Sequence, residues 1–171
     1  MKIKKVILSL ALLLVLTACG KTDNANKGTN EVENDTVRVA MSTELDGLNP
    51  TKITAGDTET VLDQIFDGLF DTDTDGKLVG DLAESYEVSD DGLVYTFKLK
   101  QGVKFHNGKD FKAEDVVYTY DLQAGLTSNE PLSTKFTIIK SVEAEDDYTV
   151  KVTLNERQNS FIYLTLKAIL P

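Results

Sequence analysis

The chain of 171 residues has one cysteine, one histidine, three prolines and no tryptophan. A single cysteine excludes an intrachain disulfide, so the fold must be held by its core. A zinc site or catalytic triad built on His106 has no second histidine or suitable cysteine to draw on. Basic residues are scarce: 18 against 28 acidic, for a net charge of −10. That balance excludes nucleic acid as a partner, because affinity there comes mostly from Lys and Arg neutralising phosphates. It also excludes electrostatic adhesion to an anionic membrane. There is no glycine-rich phosphate loop, nucleophile elbow or basic-aromatic patch. The reading is therefore a non-enzyme that needs no cofactor and no metal.

What is present begins with a secretory layout. Met1–Lys5 is basic, Val6–Leu16 is apolar but for Ser9, and small residues follow. The apolar run is too short to span a bilayer, which takes about 20 residues. The order Leu16-Thr17-Ala18-Cys19 resembles the bacterial lipobox, in which the cysteine thiol is alkylated with diacylglycerol and becomes the new N-terminus. The resemblance implies a lipoprotein signal peptide over 1–18, lipidation at Cys19 and attachment to the extracellular face of the cell membrane. The alternative, an ordinary signal peptide, would leave an unpaired thiol in a secreted chain. Cleavage before Cys19 removes Lys2, Lys4 and Lys5, leaving 15 basic residues against 28 acidic and a net charge of −13. Residues 19–36 contain one sizeable apolar side chain, Val32, and form a lipid-anchored flexible tether, since they cannot bury enough surface to offset ordering entropy.

Structure is expected from Val37 to Pro171. Val37, Val39 and Met41 alternate as in a strand, and Leu48-Asn49-Pro50 signals a turn. Apolar residues at Val61, Leu62, Ile65, Phe66, Leu69 and Phe70 predict a helix from Asp57 to Phe70, capped by Asp57. Tyr86 and Val88, the turn Asp90-Asp91-Gly92, then Leu93, Tyr95, Phe97 and Leu99 predict a hairpin. Gly102–Gly108 adds an extended piece and an Asn-Gly turn. A helix is expected over Ala113–Ala124 with Val116, Val117 and Tyr120 inward. Val142 and Ala144, an acidic turn, then Tyr148, Val150, Val152 and Leu154 make a second hairpin. Ser160–Leu170 reads as an apolar helix that something must cover.

Asp71-Thr72-Asp73-Thr74-Asp75-Gly76 matches the first six positions of an EF-hand loop. Position 12 is Leu82, which offers no oxygen, so an acidic turn outweighs a calcium site. A calcium-stabilised surface module stays open as an alternative function. His106 reads as a turn histidine with a structural hydrogen bond. The paired acids Asp90-Asp91, Glu114-Asp115 and Asp146-Asp147 read as solvated.

The run Phe66–Phe70, then Leu82–Leu99 (LAESYEVSDDGLVYTFKL), Gly102–Gly108 (GVKFHNG) and Ala113–Tyr118 (AEDVVY), resembles the extracellular solute-binding proteins of family 5. These are the oligopeptide-, dipeptide- and nickel-binding components of ABC importers. The resemblance covers residues 37–171. It implies a mixed α/β (α+β) fold of the periplasmic-binding-protein type II class, two lobes about a cleft. Members are much longer, so the expectation is an incomplete first lobe with its small subdomain: an N-terminal fragment unable to bind alone, or an inert remnant of a truncated gene. Implied partners are an oligopeptide or dipeptide ligand and the permease and ATPase subunits. The acidic residue that receives the ligand amine in peptide-binding members is not among these residues. The segment after the Leu-Asn-Pro turn runs along the cleft in such proteins, which carries a ligand role to Thr54, Ala55 and Gly56, and more weakly to Ser42, Thr43 and Glu44. Small residues there suit close approach of a ligand backbone. The sequence departs from the family at Lys112, where a capping threonine is common, and at Gly80-Asp81, where a proline is usual. Asp110 is the expected substitute cap; failing that, the helix start frays at about 1 kcal/mol.

Overall fold

A four-stranded antiparallel sheet organises the chain, because its strands alternate apolar and polar residues and so present one buried face. The computed structural model describes residues 38–171. Cys19, the signal and tether segments and Val37 lie outside the described residues. In chain order the elements are α1 (Gly56–Leu62), β1 (Phe70–Thr72), β2 (Leu78–Gly80), β3 (Ala83–Val88), β4 (Val94–Leu99), α2 (Ala113–Ala124), β5 (Ile139–Asp146) and β6 (Thr149–Leu154). Short 3-10 helices cover Phe136–Ile138 and Asn159–Leu166.

The sheet order is β3-β4-β6-β5, every pair antiparallel, and β1-β2 form a separate hairpin. Across the buried face, Tyr86 sits opposite Phe97, Phe97 opposite Val150, and Val152 between Tyr95 and Val142. Helix α2 packs on β5 and β6 and buries Val116 and Tyr120, with Val117 half-buried. Phe70 meets Tyr86 edge-on at 5.4 Å, and Phe161 meets Tyr95 at 4.8 Å, so the flanking segments lock onto the same aromatic row. The opposite face carries Thr96, Lys98, Lys151 and Glu143 and faces water.

Both hairpins and α2 form where the sequence places them. Gly92, with φ of 72°, turns the first hairpin. Gly125, with φ of 67°, ends α2 in the left-handed conformation that glycine adopts without strain. Tyr86, Val88 and Ala144, among the alternating residues of these hairpins, are exposed on the edge strands β3 and β5.

Three expectations fail. Arg38–Met41 is not a strand and belongs to no described β-ladder, which alternation alone does not supply. The helix over Asp57–Phe70 stops at Leu62, and Asp57 does not cap it; Ala55 is the N-cap and makes no side-chain cap bond. Tertiary bonding overrides the periodicity beyond Ile65. Gly68 C=O accepts from Leu82 N–H, Leu69 C=O from Ala83 N–H, and Leu69 N–H goes to Thr165 C=O. Gly68 fits because an added Cβ would stand 2.7 Å from Leu166 O.

The helix over Ser160–Leu170 is instead the 3-10 helix Asn159–Leu166. An α-helix would use Thr165 C=O for Ile169 N–H. Leu69 occupies that carbonyl at 2.8 Å, and Ile169 N–H turns to Asp67 C=O at 2.9 Å. The apolar cover this segment needs comes partly from the chain itself: Phe161, Ile162 and Ile169 are buried, while Leu164, Leu166 and Leu170 remain half-exposed.

Candidate functional site

The Leu48-Asn49-Pro50 turn forms, with Lys52 N–H donating to Asn49 C=O at 3.0 Å, and it carries the chain into Thr54-Ala55-Gly56. Thr54 and Gly56 are exposed and Ala55 is half-buried. Asp46 holds this stretch. One carboxylate oxygen accepts from Thr54 N–H at 2.7 Å, Thr54 Oγ1 at 2.9 Å and Ala55 N–H at 3.0 Å. The Thr54 amide, with the Thr58 and Thr54 hydroxyls, holds Asp46 far below the usual carboxylate range.

Asp57 does the same in the opposite direction. Its Oδ2 accepts from Ser42 N–H and Oγ, both at 2.7 Å, and from Thr43 N–H at 2.8 Å and Oγ1 at 3.1 Å. The Ser42 hydroxyl, then the Thr43 and Ser42 amides, lower its pKa. A third tie runs from Asp46 N–H to the buried Thr58 Oγ1 at 3.1 Å. The structure therefore brings Ser42 and Thr43 beside Asp57, the residue after Gly56. Glu44 is exposed and makes no side-chain hydrogen bond among the described residues.

These bonds decide which main-chain groups remain. Thr54 and Ala55 have given up their N–H groups, and Ala55 C=O accepts from Glu59 N–H at 3.1 Å. Among the described residues, Thr54 C=O and Gly56 N–H are left without partners. Ala55 between them is extended, with φ −88° and ψ 128°. The ties of Asp46 and Asp57 escape sequence reasoning, which reads Asp57 only as a helix cap, because they act across eight to fifteen residues of irregular chain, where no periodicity reports a contact.

Other candidates resolve into turns and ties. Asp73 Oδ1 accepts from Asp75 and Lys77 N–H, both at 2.9 Å, so the centre of the EF-hand-like run is committed to closing the β1–β2 hairpin. Among the described residues, no cluster of three or more His, Cys, Asp or Glu is arranged to hold a metal. The hydrogen bond expected of His106 is absent among the described residues. Its turn is closed by Gly108 N–H to Phe105 C=O at 2.8 Å and by Lys109 N–H to Asn107 Oδ1 at 2.9 Å, and the exposed ring has no part in it. His106 borders an apolar cavity of about 290 Å³ with Phe66, Leu82, Phe105, Phe111 and Ile169.

A larger cavity of about 480 Å³ includes Glu59, Asp63, Asp67, Asp71, Asp81 and Lys167 in its wall. Burial, then the neighbouring Glu59, raises Asp63; burial, then Asp67, raises Asp81.

Asp110 is not the substitute cap of α2, since it pairs with Lys104. Lys112 N–H donates to Asp115 Oδ2 at 2.9 Å, and Ala113 N–H donates to Asp147 C=O at 2.9 Å. Lys112 Nζ also reaches Asp147 at 2.8 Å. The helix start is thus tied to the second hairpin turn instead of fraying, and the bond with the buried Asp115 raises the Lys109 pKa. No described helix is long and apolar enough to cross a membrane.

Residues 77–171 match the family described as bacterial extracellular solute-binding proteins, family 5 Middle. The chain is 35% identical to heme-binding protein A of Haemophilus influenzae, over 95% of its own length and 34% of the relative. In structure it resembles NikZ from Campylobacter jejuni, solved with Ni(L-His), with a TM-score of 0.68 and 32% identity over 75% of this chain and 26% of that one. It also resembles the oligopeptide-binding protein AppA from Bacillus subtilis, solved with a nonapeptide, with a TM-score of 0.66 and 34% identity over 72% and 25% of the two chains. The chain thus spans about a third of the curated relative, and its mixed α/β architecture is part of the periplasmic-binding-protein type II fold.

Proposed function

Because the chain belongs to the bacterial extracellular solute-binding proteins of family 5, we propose that it forms one wall of the ligand cleft of an extracytoplasmic receptor serving an ABC importer. The receptor captures solute and delivers it to the permease and ATPase subunits, with no chemistry on the solute. Cys19 carries the lipid that holds it at the extracellular face of the cell membrane, and two acyl chains suffice for stable anchoring.

One observation carries the ligand reading: Thr54 C=O and Gly56 N–H flank an extended Ala55 and lack partners among the described residues. A residue of an extended ligand lying parallel to Ala55 would donate its N–H to Thr54 C=O and accept from Gly56 N–H. An antiparallel pairing would need both groups of Thr54 or of Ala55, and at each residue at least one is already committed. Main-chain recognition favours an oligopeptide or dipeptide and is indifferent to side chains. Ser42 and Thr43, bonded to Asp57, border the same stretch, and Glu44 follows them in the chain. The relatives' ligands differ widely, from Ni(L-His) to a nonapeptide, which suits a wall whose selectivity is set elsewhere.

The test is a titration of the isotope-labelled chain with trialanine, followed by amide resonances. A shift centred on Gly56 is expected. Shifts confined to another surface, or none at saturating peptide, overturn the reading. Calorimetry of residues 20–171 with the same peptide should give no measurable heat, since one wall alone binds weakly; micromolar binding would show that these residues make a complete site.

A further inference from the structure

We infer that Asp46 and Asp57 are positioning residues for the ligand-facing backbone: two reciprocal carboxylate ties that set the direction of Thr54 C=O and Gly56 N–H. The inference rests on the strand-addition reading above. Neither residue is assigned to touch the ligand.

Little else holds residues 42–58. Among the described residues no β-ladder includes them, and α1 starts only at Gly56. Residues 41–49 are exposed throughout, so apolar burial contributes little. The main-chain bonds of this region are local, such as Lys52 to Asn49. Across the gap, seven bonds run to just two oxygens: three to Asp46 Oδ2 and four to Asp57 Oδ2. Asp46 reaches forward to Thr54 and Ala55; Asp57 reaches back to Ser42 and Thr43. Each carboxylate takes both the amide and the hydroxyl of a Ser or Thr, a two-point grip that fixes a residue's rotation as well as its position. Bonds to an ionised acceptor are the strong kind. The arrangement does for an irregular segment what a ladder does for a strand.

The effect on the wall is selective. By occupying the N–H of Thr54 and Ala55, Asp46 removes the donors an antiparallel ligand would use. By holding Ala55 extended, it keeps the acceptor of Thr54 and the donor of Gly56 on one side of the chain. Asp57 adjoins Gly56 directly, so its grip on Ser42 and Thr43 fixes the far end of the same three residues. Loss of either tie leaves the sheet intact and the wall without a set direction.

The experiment uses the full chain and its Asp46→Asn, Asp46→Glu and Asp57→Asn variants. Amide hydrogen exchange, thermal melting and the trialanine response at Gly56 are read in each. Asp46→Asn should speed exchange at Thr54 and Ala55 by at least about tenfold, since local opening governs exposed segments. The melting temperature should hold, and the Gly56 response should vanish. Asp46→Glu, which keeps the charge, should restore part of both. Asp57→Asn should act the same way at Ser42 and Thr43. Unchanged exchange at Thr54 and Ala55 in Asp46→Asn overturns the inference. So does faster exchange with an undiminished Gly56 response. If trialanine leaves Gly56 of the parent chain unmoved, the strand-addition reading falls, while the exchange data still report whether the ties exist.

Discussion

The sheet and the loop that precedes it are held by opposite means. Residues 83–154 bury Phe97, Val150, Val152 and Leu154 almost completely, and their stability comes from area removed from water. Residues 42–58 bury little beyond Pro50 and Thr58, and depend on two carboxylates gripping amides and hydroxyls at an exposed surface. The first device is non-directional and survives substitution by shape. The second is directional, depends on charge and fixes particular backbone groups. A binding wall needs direction more than stability, which is why the proposed ligand contact is placed in the weakly buried region.

The comparison breaks most visibly at Phe97. Truncation to alanine removes a ring packed with Phe70, Tyr86 and Tyr95 and should cost about 3–5 kcal/mol, read by denaturant unfolding. If the loop amides keep their former rates in this destabilised variant, the loop opens independently of the sheet; rates that rise with the lost stability show that the two regions share one cooperative unit. Gly68→Ala comes next. Its Cβ would strike the Leu166 and Thr165 carbonyls, and overpacking against backbone should cost about 1–3 kcal/mol in the same measurement.

Tyr120→Phe should go the other way. The Tyr120 hydroxyl is buried without a partner among the described residues, and desolvation pushes its pKa far up. Removing it should gain about 1 kcal/mol, seen as a higher melting temperature. The smallest global effect is acid on the loop. Both Asp46 and Asp57 are lowered from the ordinary value of 3.8. Their contribution is therefore complete above that value and is lost only as pH falls through the lower folded-state values. Amide exchange at Ser42, Thr43, Thr54 and Ala55 should stay slow down to pH 3.8 and rise below it, with the sheet unchanged. Release of these amides at higher pH would show that the ties are not ionic.

How much of this was legible depends on whether local pattern and tertiary bonding agree. They agree in α2, whose span Ala113–Ala124 follows from its apolar spacing and the glycine after it. They agree in both hairpins, where Asp-rich turns join alternating strands. They disagree over Ile65–Phe70 and Thr165–Ile169, each helical by spacing, because the two segments bond to one another and to Leu82 and Ala83 instead of to themselves. The site was less legible still. Thr54–Gly56 came into view only through resemblance, and Asp46 stands in a stretch whose composition marks it merely as a loop. The partners that give it meaning are distant in the chain and share no repeat.

The bonds of Asp67 and Leu69 to Ile169 and Thr165 have one more consequence. The chain leaves for the sheet at Phe70 and returns from it at Leu164, through neighbouring points. A stretch whose ends meet is a cassette. Changes within it that keep Leu82 and Ala83 bonded to Gly68 and Leu69 leave the paired ends in place. Added length in its exposed tips, Asp73–Gly76 or Thr127–Leu132, does not reach the junction. Length added at those tips also leaves the bonds of Asp46 and Asp57 across residues 42–58 in place.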